Sequence, residues 1–185
     1  MSSENDLPIE ITHQVRDACL CLHMQRAARA VARRFDEAFR PLGLTNGQFS
    51  LMMSLNRAQA PSIGQVSTLL AMDRTTLTAN LKPLERRGLV TVTVDEADRR
   101  SRRLKLTPAG RDLLVAAVPV WKRTHTALER LLGGSDPDRL RADLRALSRP
   151  GTTLEQCVPL EKTMNNNQET RHRWTPRVPS SAAEN

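Results

Sequence analysis

The chain has 185 residues, 39% of them hydrophobic, which is enough for one domain with a buried core and excludes a wholly disordered protein. Lysines and arginines number 28 against 20 acidic residues, and the resulting net charge of +8 favours an anionic partner, either nucleic acid or a membrane surface. Three Phe, two Trp and no Tyr are too few for the aromatic surfaces that stack single-stranded bases, so that class of binding is disfavoured.

The first predicted element is one long helix over residues 13–40, preceded by a polar N-terminal arm, residues 1–12. Apolar residues recur along it at steps of three or four, which is the spacing of one helix face. Pro41 and Gly43 follow directly, and both residue types typically end a helix. We therefore expect a single uninterrupted helix here.

Three shorter helices are predicted next, each beginning at a side chain that can cap a helix N-terminus. In the third, leucines at positions 77, 81 and 84 define an inward face, and Pro83 is expected to interrupt the helix because proline lacks the amide donor. The capping signals are two capping boxes, Thr45 with Gln48 and Ser62 with Gln65, followed by Asp73 as an N-cap.

After Gly88 the spacing of apolar residues changes from about 3.6 to two, which predicts a β-hairpin. Residues 89–94 form its first strand, residues 103–106 its second, and a highly charged turn joins them. Helices then start at Thr107-Pro108 and at Asp136-Pro137. Residues 149–185 show no periodicity and are rich in polar residues and proline, so we expect a disordered tail.

The basic charge is concentrated in the third short helix and the hairpin. Residues 72–111 hold ten cationic and five acidic side chains, so they supply +5 of the total charge, and five of the seven residues from Arg99 to Lys105 are cationic. Such a cluster must project into solvent or onto phosphate groups. A solvated hairpin tip is the alternative interpretation, but its position directly after a polar helix favours DNA.

The order of two short helices, a third helix with a polar face and a charged hairpin is typical of a winged helix-turn-helix. The polar face carries threonines, which can hydrogen-bond base edges or touch a thymine methyl group, and arginines, which bind guanine or phosphate. The candidate DNA-binding residues are Arg74, Thr75, Thr76, Thr78, Lys82 and Arg86 on the helix, and Asp98, Arg99, Arg100, Arg102 and Arg103 in the hairpin.

Five runs of this sequence together strongly resemble the MarR family of bacterial transcription regulators. The resemblance covers residues 13–148 in unbroken order, and the hairpin signature followed by Leu-Thr-Pro-Ala-Gly is its most specific part. The five runs are LTNGQF at 44–49, LLAMDRTT at 69–76, LERRGLV at 84–90, DRR at 98–100 and LTPAG at 106–110.

The resemblance implies a mainly α-helical fold: a winged helix-turn-helix with a two-stranded wing over about 45–107, and helical dimerisation regions at 13–40 and 108–148. It also implies a homodimer bound to palindromic double-stranded DNA, in which Asp98 braces the wing and Arg100 enters the minor groove. The commonest mode in the family is repression that is relieved by a small-molecule effector. A winged helix used for protein–protein contact is the alternative from another class.

Cys19 and Cys21 are interpreted first as small buried packing residues. On one helix two such positions point in nearly opposite directions, so they cannot share a metal ion. Redox sensing stays open as the alternative, with Cys19 and Cys21 as possible sensors. The peroxide-sensing branch of the family uses one cysteine of its first helix, and Cys21 matches that cysteine best. That branch holds its thiolate with tyrosines, which this chain lacks.

Trp121 is interpreted as a residue of the dimer core, although the family's effector pocket lies near such positions. No phosphate-binding loop, nucleophile motif or paired metal-ligand motif is present, so we expect no enzyme activity, no cofactor and no metal. With no apolar run of membrane length, no signal pattern and no disulfide framework, the sequence predicts a soluble cytoplasmic protein that does not bind membranes.

Overall fold

The computed structural model describes residues 7–96 and 98–148, and the expected tail at 149–185 lies outside these residues. The chain divides into two compact units, one ending at Gly134 and the other beginning at Ser135. In chain order, the first unit contains helices α1 (Ile9–Ala18), α2 (Leu20–Phe39), α3 (Asn46–Ser54), α4 (Ile63–Leu70) and α5 (Arg74–Arg86), strands β1 (Val90–Val94) and β2 (Arg102–Leu106), and helix α6 (Pro108–Arg130); the second contains α7 (Pro137–Leu147).

The predicted fold class, mainly α-helical with a two-stranded antiparallel wing, is confirmed. The helix starts that were predicted from capping signals are confirmed as well, because each predicted cap side chain accepts a hydrogen bond from a backbone amide of the first turn. These capping residues are Thr45, Ser62, Asp73, Thr107 and Asp136.

The expectation of one helix over residues 13–40 is wrong, because helix α1 ends at Ala18 and α2 begins at Leu20. Cys19 between them has extended backbone angles (φ −71°, ψ 104°), and its sulfur accepts a hydrogen bond from the Leu22 amide at 3.5 Å. Cys19 is therefore the N-cap of α2. Helix α1 also starts at Ile9, four residues earlier than predicted.

The expectation that Pro83 interrupts the third short helix is also wrong, since α5 continues through it to Arg86. Proline in that position removes one donor, that of the amide that would reach the Ala79 carbonyl oxygen. Ala79 is exposed, so water can replace the missing donor. The next turn is intact, as the Arg87 amide donates to the Pro83 carbonyl oxygen at 3.1 Å.

Three phenylalanines form the aromatic part of the core of the first unit. Phe35 and Phe39 of α2 stack with ring centroids 5.9 Å apart, and Phe39 stacks on Phe49 of α3 at 4.6 Å. Buried leucines of α5 and of the hairpin complete the same core, which fixes the helix and the hairpin relative to α2 and α3. They are Leu77, Leu81, Leu84, Leu89, Leu104 and Leu106.

The base of the hairpin is closed by its register and by the start of α6. Val90 pairs with Leu106, and the Thr107 amide continues the pairing by donating to the Leu89 carbonyl oxygen at 3.1 Å. A Cβ atom on Gly110, in the first turn of α6, would overlap that same carbonyl oxygen. A glycine is therefore required for α6 to start so close to the strand.

Helix α7 is amphipathic, with Leu140, Leu144 and Leu147 spaced along one face and each exposed in the single chain. Two ion pairs, Arg139 with Asp143 and Arg141 with Asp138, lie along its length. Across the part of the chain that the structure describes, no helix is both long and apolar enough to cross a bilayer.

Candidate nucleic-acid interface

The turn between α4 and α5 fixes where the candidate DNA-reading helix begins. Ala71 at the end of α4 adopts a left-handed conformation with φ +47° and ψ 42°, which turns the chain. The Asp73 carboxylate then accepts hydrogen bonds from the Thr76 amide at 2.8 Å and from the Thr76 hydroxyl at 2.6 Å. The Thr76 hydroxyl, and secondly its amide, lower the pKa of Asp73 below its usual value, so this cap stays ionised.

The three threonines predicted to read DNA are not equivalent in the structure. The Thr76 hydroxyl donates to Asp73, and the Thr78 hydroxyl donates to the Arg74 carbonyl oxygen at 2.7 Å. Thr75 is exposed, and its hydroxyl makes no hydrogen bond to another described residue. Thr75 can therefore donate to a base edge, whereas Thr78 offers its methyl group and oxygen lone pairs.

The cations predicted on this helix, Arg74, Lys82 and Arg86, are all exposed. A fourth cation, Arg87, which the sequence offered only as part of the charge count, has a structural role. The Arg87 guanidinium donates to the carbonyl oxygens of Gly43 and, at 3.3 Å, Leu42, and so ties the end of α5 to the loop after α2.

The wing (β1, β2 and the turn at residues 95–101) presents two arginines at its tip. The Asp98 carboxylate accepts a hydrogen bond from the Arg100 amide at 3.0 Å, and the Asp98 backbone carbonyl oxygen accepts one from the Ser101 amide at 2.8 Å. The Arg102 guanidinium closes the turn further by donating to the Arg99 carbonyl oxygen at 2.9 Å. Asp98 thus shapes the backbone of the turn, and Arg99 and Arg100 extend from it as exposed side chains.

Arg103 differs from the other cations of the predicted set because its guanidinium binds a carboxylate and, outside the wing, a carbonyl oxygen. Its Nε atom donates to the Asp95 carboxylate at 2.6 Å, and its Nη1 atom donates to the Ala60 carbonyl oxygen at 3.2 Å. Asp95 is 9% exposed, so the pair is partly removed from solvent. Asp95 was not among the predicted site residues; its place after β1, opposite the start of β2, was the available signal.

The loop before α4 also pairs with the wing through its backbone. The Leu104 amide donates to the Pro61 carbonyl oxygen at 3.0 Å, and Ser62 forms an isolated antiparallel bridge with Arg103. Residues 61 and 62 are therefore held against β2 by one isolated bridge and one backbone hydrogen bond. Since Ser62 caps α4, the wing and the helix-turn-helix are joined at this edge.

A cavity of about 480 Å³ lies between α3, α4 and α6. Its lining is mostly apolar, with the Arg57 side chain as its charged member. Trp121 on its wall stacks on His125 with ring centroids 4.8 Å apart, and the His125 ring lies 3.1 Å from the Glu129 carboxylate. Trp121 therefore lines a cavity in the single chain, where sequence analysis had preferred a place in the dimer core.

The interpretation of both cysteines as buried packing residues is wrong for the single chain. Cys19 is half-buried at its capping position, and Cys21 is exposed, with the Gln25 side chain donating to its sulfur at 3.3 Å. Among the described residues, no group of three or more His, Cys, Asp or Glu side chains is placed to hold a metal ion.

Comparison with known proteins gives a family match over the winged region. The model of the MarR family matches residues 44–101. The transcriptional activatory protein BadR of Rhodopseudomonas palustris is 33% identical over 95 residues, which cover 50% of this chain and 54% of that protein. The chain spans about half to two thirds of the length of the first curated relatives that it matches.

Two solved structures with DNA share the fold over most of their length. The M. tuberculosis transcriptional regulator MosR in complex with DNA is 36% identical with a TM-score of 0.61, and the match covers 70% of this chain and 92% of MosR. The transcriptional repressor CouR bound to a 23-mer duplex is 30% identical with a TM-score of 0.65, covering 78% of this chain and all of CouR.

Proposed function

The chain belongs to the MarR family, and on that premise we propose that it regulates transcription by binding double-stranded DNA. Helix α5 enters the major groove, and the wing lies along the neighbouring backbone and minor groove. MosR and CouR, with which the chain shares 36% and 30% identity, were both solved on DNA.

The observation that carries this proposal is the arrangement of α5 and the wing around one core. The polar face of α5 presents Thr75 and the cations Arg74, Lys82 and Arg86 to solvent, while its leucines are buried. The tip of the wing presents Arg99 and Arg100. Exposed threonines and arginines suit base edges and phosphates, and neither set of side chains is needed to hold the fold.

A homodimer on a palindrome is the second part of the proposal. Helices α1 and α2 expose large apolar side chains, among them Ile9, Val15 and Leu20, and α7 exposes a row of leucines. Apolar surfaces on separate helices of this kind are typical of subunit interfaces. Two recognition helices related by a two-fold axis read half-sites about one helical turn, roughly 34 Å, apart.

We also assign the protein to the cytoplasm, as a repressor whose effector occupies the cavity beside Trp121. Its apolar lining and single cation suit a small molecule with an apolar body and one polar or anionic group. The direction of regulation differs between relatives, since BadR is called activatory and CouR a repressor. Effector release of DNA therefore needs its own measurement.

Selection of bound duplexes from a random-sequence pool tests the proposal. We expect enrichment of one palindrome, and a complex of two chains per duplex in sedimentation. A winged helix that serves protein contacts would enrich no sequence and would show only weak, sequence-independent binding. Adding small apolar acids to the enriched complex then tests whether occupancy of the cavity releases the DNA.

Thiol sensing is a second candidate function, because Cys21 is exposed in the single chain. Oxidation of its sulfur would alter the surface of α2, where the apolar dimer contacts are proposed. Peroxide-driven release of DNA that Cys21→Ser abolishes separates this function from effector sensing.

A further inference from the structure

We propose that Arg103 is a positioning residue that fixes the wing against the loop before α4, although it lies within the cluster of cations that faces DNA. The proposal rests on the proposed function, because Arg103 would fix the wing in the orientation in which Arg99 and Arg100 reach the duplex. Asp95 and the Ala60 carbonyl oxygen are the two groups through which it acts.

The contacts of Arg103 extend in two directions from one side chain. Its guanidinium binds Asp95, at the end of the first wing strand, and Ala60, in the loop between α3 and α4. The backbone of β2 is joined to this loop as well, because the Leu104 amide donates a hydrogen bond to the Pro61 carbonyl oxygen. Arg103 thus connects both strands of the wing to a segment that the core holds in place.

The chemistry of the pair explains why an arginine is required. A planar guanidinium can bind a carboxylate and a carbonyl oxygen at once through separate N–H groups, whereas a lysine ammonium acts as a single point charge. Asp95 is nearly buried, so the Arg103 guanidinium compensates the charge of a carboxylate that water reaches poorly. A substitution that withdraws this compensation favours a shift of the wing.

The loop whose Ala60 carbonyl oxygen binds Arg103 follows directly in the chain after residues that line the proposed effector cavity. Ser54 and Arg57 line that cavity, and Ala60 follows three residues later. The loop that Arg103 contacts is therefore continuous in sequence with the wall of the cavity.

Asp95→Asn and Glu96→Gln form a matched pair, because each removes one acidic charge from adjacent positions in the wing. Charge alone predicts that both variants bind DNA more tightly. The proposed role predicts that Asp95→Asn weakens specific binding by roughly tenfold, because a neutral amide oxygen replaces the carboxylate that pairs with Arg103, while Glu96→Gln does not weaken it. Footprints of Asp95→Asn should lose protection at the outer edges of the site, where the wings lie.

Arg103→Lys separates positioning from phosphate contact. A lysine keeps the charge, so a phosphate-contacting role predicts near-parent affinity, whereas a positioning role predicts a loss as large as that of Arg103→Gln. Amide hydrogen exchange provides a measurement without DNA: protection of the Leu104 amide should fall about tenfold in Arg103→Lys and Asp95→Asn and stay unchanged in Glu96→Gln.

Parent-like affinity and parent-like Leu104 protection in Arg103→Lys would overturn the proposal. If the parent chain enriched no duplex at all, the proposed function would fail, and hydrogen exchange alone would decide whether Arg103 holds the wing. Circular dichroism melting of each variant shows whether a loss of binding comes from unfolding. If Asp95→Asn unfolds, Arg103→Lys, which keeps the positive charge, decides the outcome against Glu96→Gln as the control.

Discussion

The Arg87 side chain, at the end of α5, donates a hydrogen bond to the Gly43 carbonyl oxygen, 44 positions earlier in the chain. Arg103 and Arg111 also bind carbonyl oxygens, those of Ala60 and Leu106. The basic cluster at residues 72–111 therefore contains two kinds of arginine. One kind holds the reading elements in place, and the other, such as Arg99 and Arg100, extends into solvent.

We expect DNA binding by the proposed dimer to weaken steeply with salt. Two wings and two recognition helices allow about six to ten phosphate contacts, so the logarithm of affinity should fall against that of salt with a slope of about −5 to −9. Fluorescence anisotropy across a salt series measures it. A slope near zero on the selected palindrome would contradict the electrostatic argument.

Arg100→Ala and Thr75→Ala should have different effects on specificity. Loss of Arg100 should lower affinity broadly and reduce any preference for narrow A·T-rich flanks, since arginine recognises groove width there. Loss of Thr75 should change discrimination at one base pair by about 1–3 kcal/mol. Repeating the selection with each variant checks this. Identical preferences in both would show that the recognition helix is wrongly assigned.

Ala71→Gly should stabilise the folded protein, because Ala71 has φ +47° and only glycine adopts that conformation without steric cost. The expected gain is about 0.5–1 kcal/mol, or a rise in melting temperature of roughly 1–4 °C. Ala116→Gly, at an exposed position within α6, is the control and should destabilise by about 1 kcal/mol. An equal loss of stability in Ala71→Gly and Ala116→Gly would argue against the left-handed conformation of Ala71.

The Asp73 cap should make the stability of the recognition helix depend on pH. Because the folded state lowers the pKa of Asp73, its contribution is complete above the ordinary pKa and is lost as pH falls through the lower folded value. Asp73→Asn keeps a capping side chain that does not titrate. The difference in melting temperature between the parent and Asp73→Asn should therefore narrow below about pH 4. Glu85→Gln, which removes a carboxylate from the same helix away from the cap, is the control.

Low concentrations of peroxide should leave DNA binding unchanged. Among the described residues, the hydrogen bond to the Cys21 sulfur comes from neutral Gln25, and the nearby Arg16 is paired with Asp17 at 2.6 Å. A sensing thiol is normally activated by a neighbouring positive charge. Gel shifts with and without peroxide compare the parent with Cys21→Ser. Release of DNA that thiol reverses and that Cys21→Ser abolishes would establish the sensing function instead.

The sequence predicted most of this fold because its helix starts and its hairpin depend on local signals. Capping side chains such as Thr45 act within four residues, and the alternation at 89–94 indicates a strand, which the structure forms over Val90–Val94. The break at Cys19 was missed because apolar spacing continues across it and cysteine is an uncommon cap. The effect of Pro83 on the helix was overestimated, since the hydrogen bond that it removes, to the Ala79 carbonyl oxygen, lies on an exposed turn of α5.

The candidate site was predictable in composition but not in detail. A count of charges cannot tell which arginine meets a carboxylate or a carbonyl oxygen that is distant along the chain. Arg103 contacts Ala60 across 43 positions, and Arg87 contacts Gly43 across 44. Such contacts depend on tertiary packing, so only the structure separates the anchoring arginines from Arg99 and Arg100.

The closed base of the wing bears on how such a chain can diverge over evolutionary time. Val90 stands opposite Leu106, and a shift of one residue would turn Lys105 inward and Leu106 outward. Insertions or deletions between Asp98 and Arg100 leave that pairing untouched, because the turn lies beyond the last rung of the ladder. A lineage can therefore lengthen or shorten the tip, and so change its reach along a duplex, while inheriting the rest of the fold intact.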